Sequence, residues 1–237
     1  MGNALTRPAS APSSGHGRGE GVVFVVSSPS GGGKTTLIGR LRRMMPRLAR
    51  SISVTTRPRR FGERQGRDYH FVSSARFQRL RRTGQLLEWA DVHEAHYGTL
   101  KRPVLRAIAR GRPIVLSIDV QGARQIRRAL GSRAVLIFLL PPSFRQLRER
   151  LLRRQTETAE AIRSRLVAAK RELACAKWYD YTVINDRLET AIRRVAEIIT
   201  SRGAVIPRPG ISIPRFPNAP QAGKQRRRTR SDGTGAN

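Results

Sequence analysis

The sequence predicts an α/β fold, a parallel sheet with helices on both faces. Three observations carry that reading. Short apolar runs rich in β-branched residues alternate with segments whose apolar residues recur at helical spacing. A glycine-rich stretch, SPSGGGKTT at 28–36, separates the first such run from the first such helical segment. Asp119 and Asn185 directly follow two further runs, PIVLSI and TVI, at the carboxyl ends where ligands of such sheets sit.

Taken in order, GVVFVVSS reads as a buried strand. The glycines after it let backbone N–H groups point inward as an anion-binding nest, and the helix start behind them adds partial positive charge. Lys34 can reach the outer phosphates of a nucleotide, and the Thr35 hydroxyl can ligate Mg²⁺. This is the P-loop pattern, with Ser28 where its first glycine usually stands. Ser28, Pro29, Ser30, Gly31, Gly32, Gly33, Lys34, Thr35 and Thr36 are therefore expected to hold a nucleoside triphosphate. The competing reading is a glycine turn that merely precedes a helix. The coincidence of strand, Gly-Lys-Thr and helix disfavours it.

Leu37, Ile38, Leu41, Met44 and Met45 predict the first helix. SISVTTRPRRFGERQGRDYHFV alternates β-prone pieces with arginines and glycines and reads as strands and loops. SSARFQRLRRTGQ sets Phe77 and Leu80 on one helical face and stops at Gly84. LLEWADV reads as another strand. KRPVLRAIARGR reads as a helix with Val104, Leu105 and Ile108 inward and Gly111 as its stop. PIVLSID is a buried strand, GARQIRRALG a helix, and AVLIFLL a strand ended by Pro141 and Pro142. Arginine-rich helices are expected over about 143–154 and 159–176, then a last strand in DYTVIND and a last helix in LETAIRRVAEIITSR.

A chain of 237 residues suits one α/β domain with an insertion or two. Its single cysteine, Cys175, rules out an intramolecular disulfide and points to a reducing compartment. No apolar run approaches the ~20 residues of a membrane span. Residues 1–19 lack an apolar signal core and read as a disordered leader. Residues 203–237, rich in Pro, Gly and Arg, read as a disordered basic tail. The net charge of +31 draws polyanions in general. Arginine-heavy usage and a site for several phosphates both account for it. With no fingerprint of a nucleic-acid module, no specific nucleic-acid partner is expected, though the tail can bind polyanions non-specifically.

Over roughly residues 20–200 the chain resembles guanylate kinase. The resemblance rests on SPSGGGKTT, SVTTRPRR, GERQGRDYHF, LLEWADV, HYGT, IDVQGA, and RLLRRQTETAEAIRSRL followed by VIND. It implies a P-loop, three-layer nucleoside monophosphate kinase fold. The core would comprise 20–50, 101–142 and 171–202, with a GMP-binding insertion at 51–100 and a helical lid at 143–170. It implies a cytoplasmic transfer of the ATP γ-phosphoryl group to GMP, with Mg²⁺, giving ADP and GDP in purine nucleotide metabolism.

The resemblance also implies roles. Arg57, Arg60, Tyr69 and Tyr97 would grip the GMP phosphate, since guanidinium forks pair bidentately with phosphate oxygens. Glu88 would read guanine, whose N1–H and amino group face two carboxylate acceptors; the alternative is that Glu88 pairs with a nearby arginine. Ser53 and Thr99 would add hydroxyl contacts, and Asp119 would serve both GMP and, with Thr35, the metal. On the donor side Arg150, Arg154 and Arg165 would join Lys34 in stabilising the migrating charge, with Asn185 at the adenine. Three departures stand out: Ser117 where the family usually has an acid, Arg153-Arg154-Gln155 where the lid usually reads Gly-Arg-Gly, and Pro58 one place early. The rivals are a binding module that has lost catalysis, a kinase for another acceptor, and a nucleic-acid binder. Intact Lys34, Thr35 and lid arginines oppose the first, Glu88 with Ser53 and Tyr97 the second, and the third rests on charge alone.

Overall fold

The structure, a computed structural model, describes residues 21–92, 95–152 and 159–202. Strand β1 (Val23–Ser27) leads through the glycine loop into α1 (Lys34–Met44) and then β2 (Ala49–Arg50). There follow β3 (Ser53–Thr55), β4 (His70–Phe71), α2 (Ser74–Arg82), β5 (Leu86–Val92) and β6 (Ala95–Leu100). The chain continues through α3 (Lys101–Ala109), β7 (Ile114–Ser117), α4 (Val120–Leu130), β8 (Ala134–Leu140) and α5 (Phe144–Leu152). It closes with α6 (Ala159–Ala174), β9 (Tyr181–Ile184) and α7 (Leu188–Ser201).

Five strands form a parallel sheet in the order β2-β7-β1-β8-β9. Successive strand residues point to opposite faces, so a sheet covered on both sides needs an unbroken apolar run. β1 shows this directly. Phe24 and Val26 pack with Leu37, Ile38 and Leu41 of α1 and Val195 and Ile199 of α7, whereas Val23 and Val25 pack with Val104 and Ile108 of α3 and Ile126 of α4. Burying each such side chain contributes about 1.5–3 kcal/mol before chain entropy is counted.

The segment from β3 to β6 does not extend this sheet. It builds a second one, β4-β3-β6-β5, in which β6 runs antiparallel to both β3 and β5. Its strands are short and carry Glu88, Tyr97 and Thr99 among apolar residues, a pattern unsuited to a doubly covered sheet. Helix α4 bridges the two sheets. Ala123 and Ile126 enter the core of the parallel sheet, and the Gln125 amide pairs with both backbone groups of Trp89 in edge strand β5 (Nε2 to O 2.6 Å, Oε1 from N 3.2 Å).

Two expectations change. Leu105 is 40% exposed, because the inward face of α3 runs through Val104, Ala107 and Ile108, three and four residues apart. α6 ends at Ala174 and passes into a 3₁₀ turn, Cys175–Trp178, so its last residues are wound more tightly than expected. Arg154, the leader and the tail lie outside the described residues. Among those described, no helix is long and apolar enough to cross a membrane.

Candidate active site

The loop after β1 is shaped by two kinds of constraint. Gly31 (φ +82°) and Gly33 (φ +89°) adopt left-handed backbone that side chains disfavour, and Gly33 caps α1 in that conformation. Gly32 is constrained by space instead. A Cβ there would overlap the Ser28 hydroxyl and stand 2.7 Å from Ser28 Cβ. The serine that replaces the usual first glycine is thus matched by a glycine four residues later. Lys34, the first residue of α1, folds back over the loop, and its Nζ donates to Ser28 O (2.6 Å) and Ser28 Oγ (3.1 Å). The positive end of the α1 dipole lies at the same place.

Three cavities meet at this loop. The first, about 360 Å³, has Ser28 to Thr36 on one side and Arg57, Arg60, Tyr69 and Tyr97 on the other, with Ser53 and Ser117 between. A second, about 150 Å³, shares Lys34, Thr35, Ser53, Tyr69, Tyr97 and Ser117 with the first and adds Glu88 and Asp119. The third, about 380 Å³, lies against Gly31, Gly33 and Thr36 and is closed by Arg150 and Asn185. Segments far apart in sequence therefore assemble one continuous polar site.

Sheet register explains the second cavity. Ser53 pairs with Thr99, and Thr99 with Glu88, across three adjacent strands; two residues along, Thr55 aligns with Tyr97 and Ala90. Residues two apart share a face, so one face of the small sheet presents Ser53, Thr99, Tyr97 and Glu88 together. Glu88 is 3% exposed and its Oε1 accepts from Thr99 Oγ1 (2.6 Å). Burial pushes its carboxyl up to about 7; Thr99 opposes the rise and Asp119 adds to it. Among the described residues, then, the groups acting on Glu88 are the hydroxyl and backbone N–H of Thr99 and another acid, not the arginine considered above. Thr99 itself is fully buried, with its hydroxyl committed to Glu88.

Asp119 caps α4, accepting from Gly122 N (2.8 Å). Burial raises its pKa, while Gly122 and the Lys34 charge hold it down. Arg57 Nη2 donates to both oxygens of Glu63 (2.8 and 3.1 Å), and Glu63 Oε2 also accepts from the backbone N–H of Arg60 (2.8 Å). Pro58 therefore leaves both arginines at the cleft. The Arg57 guanidinium lies 5.4 Å from the centre of the Tyr69 ring. Asn185 is buried, and its side-chain amide donates to Gly32 O (2.8 Å), tying the end of β9 to the loop; Arg150 donates to the Asn185 carbonyl (3.2 Å). Arg165 sits half-buried on α6.

The family follows from the whole chain. A family model described as guanylate kinase matches residues 21–202. The chain belongs to the guanylate kinase family. It is 43% identical over 182 residues to the guanylate kinase of Carboxydothermus hydrogenoformans, covering 77% of this chain and 89% of that one. It is 47% identical over 180 residues to the guanylate kinase of Anaeromyxobacter dehalogenans, covering 76% and 80%. Its structure resembles the crystal structure of guanylate kinase from Anaplasma phagocytophilum with a TM-score of 0.66, at 32% identity, covering 78% and 87%.

Three site residues escape the sequence reading. Glu63 holds Arg57, and its signal is an acid six residues after an arginine in a turn-rich stretch. Arg50, which also lines the cleft, donates to Asp68 O (3.1 Å). Glu172 on α6 has its carboxyl raised by burial and feels both Lys34 and Asp119; it is one of two acids on that helix, with Glu160, and no local pattern sets it apart.

Glu88 yields a stability prediction. Its folded pKa lies above the ordinary carboxyl value of 4.5, so the folded protein holds a proton that the unfolded chain releases. Stability is lost as pH rises through that window, and an uncharged Glu88→Gln escapes the loss. At about pH 8 the variant should be more stable by on the order of 1–3 kcal/mol, converging with the parent toward about pH 4. Thermal unfolding at both pH values checks this; a pH-independent difference would contradict it.

Proposed function

We propose that this guanylate kinase family member transfers the γ-phosphoryl group of ATP to GMP, giving ADP and GDP. The observation that carries the reading is Glu88, a buried carboxyl with no cation partner among the described residues, facing a small cavity continuous with the phosphate loop. Guanine offers N1–H and an amino group side by side, two donors for a carboxylate with acceptor capacity beyond Thr99. Adenine puts an acceptor at N1 and would leave the buried charge unpaired, a mismatch that can discriminate by ~10⁴ or more.

With the base on Glu88, the GMP phosphate falls to Arg57, Arg60, Tyr69 and Tyr97, and Ser53 adds a hydroxyl beside the base. The ATP phosphates take the loop from Ser28 to Thr36, and the adenine takes the cavity at Arg150 and Asn185. A GMP phosphate oxygen attacks the γ-phosphorus, and the bond to the β-phosphate bridging oxygen breaks, releasing ADP. No side chain forms a covalent intermediate. The chain contributes position and positive charge: Lys34 within the loop, and Arg150, Arg154 and Arg165 from 143–170 acting as a lid. Arg57 and Lys34 already rest on oxygen acceptors, Glu63 and Ser28, which a phosphate can replace.

Mg²⁺ fits the donor set. Thr35 offers a hydroxyl and Asp119 one carboxylate, and among the described residues no group of three acidic, His or Cys side chains forms a cage. That suits an ion that keeps its waters and bridges phosphates. Bound there, it would neutralise charge on the transferring group. The division into core, GMP-binding insertion and lid, and a cytoplasmic setting where these nucleotides occur, belong to the same proposal.

The test is ADP formation from ATP with GMP, AMP, CMP or no acceptor. GMP should support turnover strongly over the others. Preference for another acceptor, or ATP binding without turnover, overturns the reading. In the same assay Lys34→Ala should lower kcat at least ~10²-fold, the scale for losing one pre-organised charge donor.

A further inference from the structure

We propose that Gly122 is a specificity-determining residue, because its missing side chain makes the room in which Glu88 is held at the base cavity. This rests on the guanine-reading role of Glu88 argued above and deepens it. A Cβ at position 122 would overlap Glu88 Oε2 and stand 2.9 Å from Glu88 Cδ and 3.3 Å from Ile118 Cδ1. The backbone at 122 is ordinary helix in the first turn of α4, so conformation does not call for glycine there. Helix propensity argues against it, since alanine is the better helix former. What calls for glycine is the approach of two elements.

The approach is fixed from both sides. Gln121 and Gln125, one turn apart on α4, donate to the backbone carbonyls of Asp91 (3.4 Å) and Trp89 (2.6 Å) of β5. The amide of Gly122 is itself held by Asp119 Oδ1 (2.8 Å). Helix and strand are therefore tied together beside the position where a methyl group would enter. Thr99 holds Oε1 of Glu88, so the carboxylate is gripped between a hydroxyl on β6 and the bare Cα of Gly122. A methyl group there must push aside the end of the Glu88 side chain, the group it meets most closely, ahead of Ile118 Cδ1. Gly122 touches no reacting atom; it acts through Glu88 as a positioning residue.

Gly122→Ala separates this from a folding role through its selectivity. We expect the variant to stay folded, with a KM for GMP raised at least about tenfold and a GMP-over-AMP ratio of kcat/KM lowered at least about tenfold. The KM for ATP should stay within about twofold. In a Glu88→Ala background the added Gly122→Ala change should leave the GMP-over-AMP ratio within about twofold, as expected when one residue acts only through the other. Unchanged GMP kinetics, an equal rise of both KM values, or additive effects overturn the inference. Should Gly122→Ala fail to fold, Glu88→Ala with Gly122→Ala decides: recovery places the clash on Glu88, and continued failure overturns it. The parent's own preference for GMP over AMP, measured alongside, tests the functional reading independently of Gly122.

Discussion

A carboxylate kept from water without a cation is held at a cost, and the small sheet is arranged around one. Glu88 lies on β5 with Thr99 beside it, Asp119 near enough to repel it, and α4 closed over it. Thr99 relieves its charge only in part, since burial still holds the carboxyl up at about 7. Register across β3, β6 and β5 places it, and the two glutamines of α4 keep it there. In the proposed reaction the missing partner is the acceptor base, whose two N–H groups complete what the fold leaves open. Selectivity then comes from a deficit built into the fold rather than from a surplus of contacts.

The phosphate side follows a related logic with the opposite sign. Here the charged groups are cations, and they rest on the protein's own oxygens. Lys34 rests on Ser28, Arg57 on Glu63, and Arg150 on the carbonyl of Asn185. Each is held near where a phosphate is proposed to bind, so less side-chain freedom remains to be lost on binding. Ser28 illustrates how local the bargain is. Its side chain takes space beside Gly32 and returns a hydroxyl to Lys34.

Much of this was legible in the sequence. The three central strands of the parallel sheet, β7, β1 and β8, are buried on both faces and read as plain apolar runs, as AVLIFLL does for β8 over its full length. The glycine loop and its lysine declared themselves by type and spacing. The antiparallel pairing of the second sheet did not, since strand direction follows from long-range closure that local pattern does not encode. Leu105 was misplaced because adjacent residues on a helix are about 100° apart, and a cluster of apolar letters hides that turn. Thr99 was recognised as a site residue, yet its partner, a side chain eleven positions away on the next strand, appears only in register. Gly122 stood within IDVQGA without any local mark of the carboxylate that needs its absent side chain.

The central claim is that Glu88 carries an unmet charge which guanine satisfies. The most direct measurement is the carbon-13 shift of the Glu88 carboxyl carbon through a pH titration, alone and with saturating GMP. The account predicts a midpoint near 7 in the free protein, from burial, falling by at least ~1–2 units when two donors from the base stabilise the ionised form. A midpoint that stays in place with GMP bound would mean that the base is read elsewhere.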